Sequence, residues 1–153
     1  MKILHTVLFL FYSGLLAWQD IRTRRLDCRL LAAGSLTGLL LLLALILRGN
    51  IETARLWQGY LPGLTVGLGL LALSRAAKEA IGEGDALCFI SFAFWQPWDV
   101  LLSLLFGSLL LAGFTGLFLM MVLHRNRKLR LPFCPFVWAA AILQSLLVLW
   151  TEV

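Results

Sequence analysis

Charge is scarce in this sequence. Asp, Glu, Lys and Arg make up 14% of its 153 residues, against roughly 25% in an average soluble protein. That leaves too few ions to cover a globular surface in water. Cysteine is scarce as well. Cys28, Cys88 and Cys134 lie far apart with no Cys-x-x-Cys spacing, which argues against a zinc ribbon and a dithiol redox motif. They are read as packing residues, because a free cysteine behaves as a small hydrophobe. The two histidines, His5 and His124, stand without other ligand types at metal-binding spacing, so neither a metal nor a cofactor is expected. Internal repeats and low-complexity linkers are absent, and the length suits one compact domain covering residues 1–153.

What is present is apolar: 61% of the residues are hydrophobic, where a soluble domain holds about 45–50%. The expected fold is all-α, a membrane helix bundle with lipid as its main solvent. Apolar runs near the roughly 20 residues a membrane helix needs give six spans, at about 3–19, 30–47, 56–73, 80–97, 100–123 and 131–150. No small-residue cleavage site follows the first run, so it is read as a retained span. The third is broken up by Pro62, Gly63, Gly67 and Gly69, small residues of the kind that let helices approach closely. Gln96-Pro97-Trp98-Asp99 is the expected turn between the fourth and fifth spans. The fourth reaches a normal length only if it begins near Ala80, which takes in Gly82-Glu83-Gly84-Asp85 and sets Asp85 at the membrane boundary.

The net charge of +5 raises nucleic acid as a partner, but the basic residues sit in short loops between apolar runs. There they act as topology signals, and no nucleic-acid partner is expected. Ten of them (Arg22, Arg24, Arg25, Arg29, Arg75, Lys78, Arg125, Arg127, Lys128, Arg130) fall on one side of a six-span chain. Only Lys2, Arg48 and Arg55 fall on the other. The positive-inside rule makes the first side cytoplasmic and places both termini outside. Trp57, Trp95, Trp98 and Trp150 then form an outer aromatic belt, with Trp18 and Trp138 near the inner boundary.

Asp20 and Asp27, then Glu79, Glu83 and Asp85, lie in loops on the cytoplasmic side. Carboxylates at membrane depth are candidates for function by default. Two that face each other can share a proton, one activating water and the other donating to a carbonyl, as in aspartic proteases. Gly82 and Gly84 are expected to supply backbone conformations closed to other residues and to let a substrate strand approach. On the residues alone a blander reading stands beside this one: Asp85 as the N-cap of span four and Asp20 as a loop charge paired with arginines. Glu83 reads either as a like charge beside Asp85 or as an indifferent position. Asp27 is expected to cap the second span. Asp99 is expected in an outer turn, and the loop-one arginines as topology and headgroup contacts.

Asp20-Ile21-Arg22-Thr23-Arg24-Arg25-Leu26, Gly82-Glu83-Gly84-Asp85-Ala86-Leu87 and Leu131-Pro132-Phe133-Cys134-Pro135-Phe136 together resemble the motifs of type IV prepilin peptidases. They are similar to its first aspartate motif, its Gly-x-Gly-Asp motif and the Pro-Phe-Gly-Pro segment that opens its last span. The resemblance implies that Asp20 and Asp85 are catalytic, with Gly82, Glu83, Gly84, Pro132 and Phe133 shaping the site. It implies a cofactor-free aspartic endopeptidase of the bacterial inner membrane, with its active site facing the cytoplasm. The substrate implied is a type IV pilin-like precursor, cut at its leader. This chain departs from the pattern at three places: Ala86 stands for a common Lys, Asp27-Cys28 for Pro-Asn and Cys134 for Gly. The larger members' cysteine-paired insert, linked to methylation of the product, has no counterpart here, so no methyltransferase activity is expected. The alternatives are an inactive relative acting as a membrane assembly partner of a pilus-like or secretion system, and a small proton-relay transporter. Against the transporter, both aspartates sit on one side.

Overall fold

The computed structural model describes residues 2–49, 56–76, 82–123 and 132–151. The expectations placed on Glu79, on His124 and on the basic residues of the third loop lie outside the described residues, as do those on Lys78 and Arg55. Every described element is helical. The order is α1 (Lys2–Thr23), α2 (Cys28–Leu47), a π-helical turn (Leu56–Tyr60), α3 (Leu61–Ala76), α4 (Glu83–Phe92), α5 (Trp98–Leu123) and α6 (Cys134–Thr151). Two of them, α2 and α5, are long and apolar enough to cross a membrane by length and composition. At 1.5 Å per residue α2 is about 30 Å long, the thickness of a bilayer's hydrocarbon core.

The chain forms two compact units. The first comprises residues 1–24 and 104–153, the second residues 25–103. In the first, α1 packs along α6. Phe9, Tyr12, Ser13, Leu16, Ala17 and Asp20 are all buried, at the three- and four-residue spacing that makes one face of a helix. The opposite face, Leu4, Val7, Phe11, Leu15, Trp18 and Ile21, is exposed and just as apolar. A helix in water would carry polar residues there. On α6 the buried face is Cys134, Val137, Ala140 and Ala141. The Trp138 indole lies over Gly14, where a Cβ would stand 3.1 Å from its Nε1, and donates to the Leu10 carbonyl at 3.1 Å.

The second unit is built around α4, which packs against both α2 and α3. Ala86, Cys88, Phe89, Ser91 and Phe92 are all buried, so this short helix is enclosed on most of its circumference. Its closest neighbour is α3. A Cβ on Gly67 would lie 2.8 Å from the Ile90 backbone nitrogen, and one on Gly63 3.5 Å from the Ala93 Cβ. Of the glycines noted in the third span, Gly67 and less tightly Gly63 therefore serve helix approach, while Gly69 faces open space. Trp95 repeats the device seen at Trp138. Its Nε1 donates to the Gly34 carbonyl at 3.0 Å, over Gly38, where a Cβ would stand 2.6 Å away. In each case the glycine lies four residues beyond the accepting carbonyl, so its missing side chain opens the path to that oxygen.

Four expectations are corrected here, one of them the packing role of Cys28, which is exposed. Trp95 is 3% exposed; it is a core residue, not part of an outer belt, because its N–H has found a helix carbonyl. Helix α4 has ten residues where span four was expected over 80–97. That is about 15 Å, half a bilayer's core. The turn comes earlier than Gln96-Pro97, at Ala93–Gln96, and α5 starts at Trp98 with the Pro97 carbonyl accepting from the Leu101 N–H. Cys28 is exposed, while Cys88 and Cys134 are buried as expected. Asp27 caps α2 as expected, its Oδ1 accepting from the Arg29 amide at 3.1 Å. Asp99 is exposed in the first turn of α5.

Candidate active site

Asp20 lies inside α1, not in a loop beyond it, because the helix continues to Thr23. It ends the buried stripe of that helix and is 8% exposed. Its Oδ2 accepts from the Cys134 backbone N–H at 3.0 Å. That amide opens α6, and the first turn there is fully accounted for. The Cys134 N–H goes to Asp20, Pro135 has no N–H, and the Phe136 and Val137 amides donate to the Phe133 carbonyl at 3.0 and 3.3 Å. A helix beginning leaves amides without partners and carries a partial positive charge. Here the cap comes from another helix, 114 residues away in sequence. This gives Phe133 and Cys134 a defined part in the site. Phe133 supplies the capping carbonyl and Cys134 the amide, while Pro132 stands half-buried just before them.

Just after Asp20 the chain turns sharply. The Arg24 amide donates to the Asp20 carbonyl at 2.9 Å, with Arg24 at φ 51. This left-handed conformation suits glycine, and a side chain there is strained. The Thr23 hydroxyl donates to the Gln19 carbonyl at 2.9 Å. At the end of α1 the Gln19 and Asp20 carbonyls are thus both engaged.

Asp85 belongs to the other unit and is half-buried. The cap of α4 is Gly82, at φ −65 and ψ 131, with Asp85 as the helix's third residue. The blander reading of Asp85 as the N-cap is therefore overturned. The Asp85 and Ala86 amides both donate to the Gly82 carbonyl, at 3.1 and 3.3 Å. The Asp85 carboxylate lies back over the cap, its Oδ2 3.0 Å from where a Cβ on residue 82 would stand. A Cβ on Gly84 would be 3.1 Å from the Leu26 Cδ1. Both glycines have side-chain ends close to where a Cβ would stand, and neither adopts an unusual backbone conformation: Gly82 has an ordinary φ, and among the described glycines only Gly49, at the end of α2, has a positive one. Leu26, which packs against Gly84, lies in the same unit as Asp85.

Glu83 is exposed and turns toward Arg75, 3.7 Å away. An exposed pair of this kind contributes little, and it gives Glu83 a place at the junction of α3 and α4. Ala86 is fully buried, so the position where lysine is common in the resembling proteins carries no charge and faces no water here. Among the described residues no three His, Cys, Asp or Glu side chains cluster as a metal site would need. The contact between Asp20 and the start of α6 was not visible from the sequence, because nothing in either segment specifies the other.

Residues 7–121 match the family model described as the type IV leader peptidase family. The match spans α1 to α5 and contains both Asp20 and Asp85. No curated protein and no solved structure matches the chain.

Proposed function

Because the chain belongs to the type IV leader peptidase family, we propose that it is a membrane-embedded aspartic endopeptidase. In this reading it removes the leader of pilin-like precursors at the cytoplasmic face of the bacterial plasma membrane, with Asp20 and Asp85 as the catalytic carboxylates. The observation that carries the reading is the placing of Asp20. A packed helix would put an apolar side chain at the end of the stripe Phe9–Ala17. Here an ionisable group is kept in that place, held by an amide.

The chemistry asked of the pair is direct hydrolysis. An ionised carboxylate takes a proton from water as its oxygen attacks the scissile carbonyl carbon. The protonated partner gives its proton to the carbonyl oxygen. The tetrahedral adduct then collapses, its C–N bond breaks and the leaving amine takes up a proton. No metal or cofactor takes part in these steps.

In this reading the chain crosses the membrane six times with both termini outside, which sets both aspartates on the cytoplasmic side. The ten-to-three division of basic residues favours it, and the apolar outer face of α1 favours a lipid surround for that helix. At ten residues, α4 crosses only together with the residues that flank it.

The test is reconstitution of the purified chain in lipid vesicles with a pilin-like precursor, reading loss of leader mass. Cleavage by the wild-type chain is expected, with loss of at least about a hundredfold in Asp20→Asn and in Asp85→Asn. Cleavage that persists in either variant removes that aspartate from the mechanism. A precursor left intact by the wild-type chain, with assembly still dependent on the protein, supports an assembly partner instead.

A further inference from the structure

Gln19 directly precedes Asp20, and its side-chain carbonyl oxygen is buried with no hydrogen-bond donor among the described residues. Buried acceptors are nearly always paired, and one left unpaired calls for an explanation. Three neighbouring acceptors already have donors. The Gln19 backbone carbonyl receives the Thr23 hydroxyl, the Asp20 backbone carbonyl receives the Arg24 amide, and Asp20 Oδ2 receives the Cys134 amide.

A peptide must leave its helix to be hydrolysed, and unwinding strips its backbone N–H groups of their acceptors. Near a membrane boundary water supplies few replacements, and each unpaired amide is costly. Soluble proteases commonly solve this by adding the substrate as a strand to a sheet edge. The described residues contain no strand, so they offer no such edge. A side chain beside Asp20 can supply the acceptor instead.

We propose that Gln19 is a substrate-contacting residue whose Oε1 accepts a backbone N–H of the unwound peptide beside the scissile bond. The inference rests on the peptidase reading above. Three rotatable side-chain bonds let the amide turn from its buried position toward a peptide held at Asp20. The exchange gives the oxygen the donor it lacks and gives the peptide the acceptor it lost. The effect belongs to peptide binding and register, so it falls mainly on KM.

The experiment uses the full chain in vesicles and synthetic precursor peptides in which single amides flanking the cleaved bond are replaced by esters, which removes one N–H at a time. Gln19→Met keeps the side chain's length and removes the acceptor. With the wild-type chain, one ester position is expected to raise KM about tenfold. With Gln19→Met the all-amide peptide shows the same rise, the ester adds less than about twofold, and kcat stays within about threefold. The thermal midpoint of Gln19→Met is expected to match or exceed that of the wild type, since an unpaired buried oxygen is gone. Independent, multiplying effects of ester and substitution at every position overturn the inference, as does an unchanged KM or a lowered midpoint. These outcomes leave the peptidase reading standing. Only failure of the wild-type chain to cut the all-amide peptide removes both.

Discussion

Removing the Asp20 carboxylate and removing only its charge are different experiments. Asparagine at position 20 keeps an oxygen for the Cys134 amide, whereas alanine leaves that amide without a partner at the start of α6. Asp20→Ala is therefore expected to destabilise the protein by about 1–2 kcal/mol. Asp20→Asn should stay within roughly 0.5 kcal/mol of wild type, since the two residues cap comparably. Thermal unfolding in detergent distinguishes the two. At Gly82 the expected effect is the reverse, on activity more than on stability. A methyl group there meets the Asp85 carboxylate at 3.0 Å, and a displaced catalytic group loses up to about a hundredfold in rate. Gly82→Ala should show that loss in kcat/KM with an unfolding midpoint close to wild type. Asp20, Asp85 and the Asp27 cap were all legible as residues. The partner of Asp20 was not, because capping by another helix leaves no local sequence pattern. The reason for the glycines was misread for a related cause: close approach is a property of the neighbour, and the sequence does not say which neighbour will be near.

Among the elements, α3 and α4 carry the sharpest test of packing. Gly67 touches the Ile90 backbone, and backbone cannot turn aside as a side chain can. Gly67→Ala is expected to cost about 1–3 kcal/mol and to lower peptidase activity through α4, which carries Asp85. Gly69, two residues on, has open space where its Cβ would be. Gly69→Ala should be neutral or stabilising by up to about 1 kcal/mol, because alanine is the better helix former. Equal destabilisation by both substitutions would contradict this account of the α3–α4 contact. Helix positions were readable from apolar runs, as α1 and α2 illustrate. The short length of α4 was not, because Ala93, Phe94 and Trp95 are as apolar as the helix they follow. Hydropathy does not register a turn made of such residues. The burial of Trp95 escaped for the same reason: an indole suits a membrane boundary and a helix interface equally well, and only the glycine at position 38 tells them apart.

For the molecule as a whole, the proposed orientation is tested by the one exposed thiol. Cys28 is exposed at the start of α2, while Cys88 and Cys134 are buried. A membrane-impermeant maleimide is expected to label Cys28 in inside-out vesicles and to leave intact spheroplasts unlabelled. Labelling confined to spheroplasts would place the first loop outside and both aspartates on the wrong side for a cytoplasmic leader. The most direct measurement of the central claim remains precursor cleavage by Asp20→Asn, made on protein whose unfolding midpoint is recorded in the same preparation. The account predicts a midpoint near that of the wild type with leader removal reduced at least about a hundredfold. A folded Asp20→Asn protein that still removes the leader at close to the wild-type rate would contradict it.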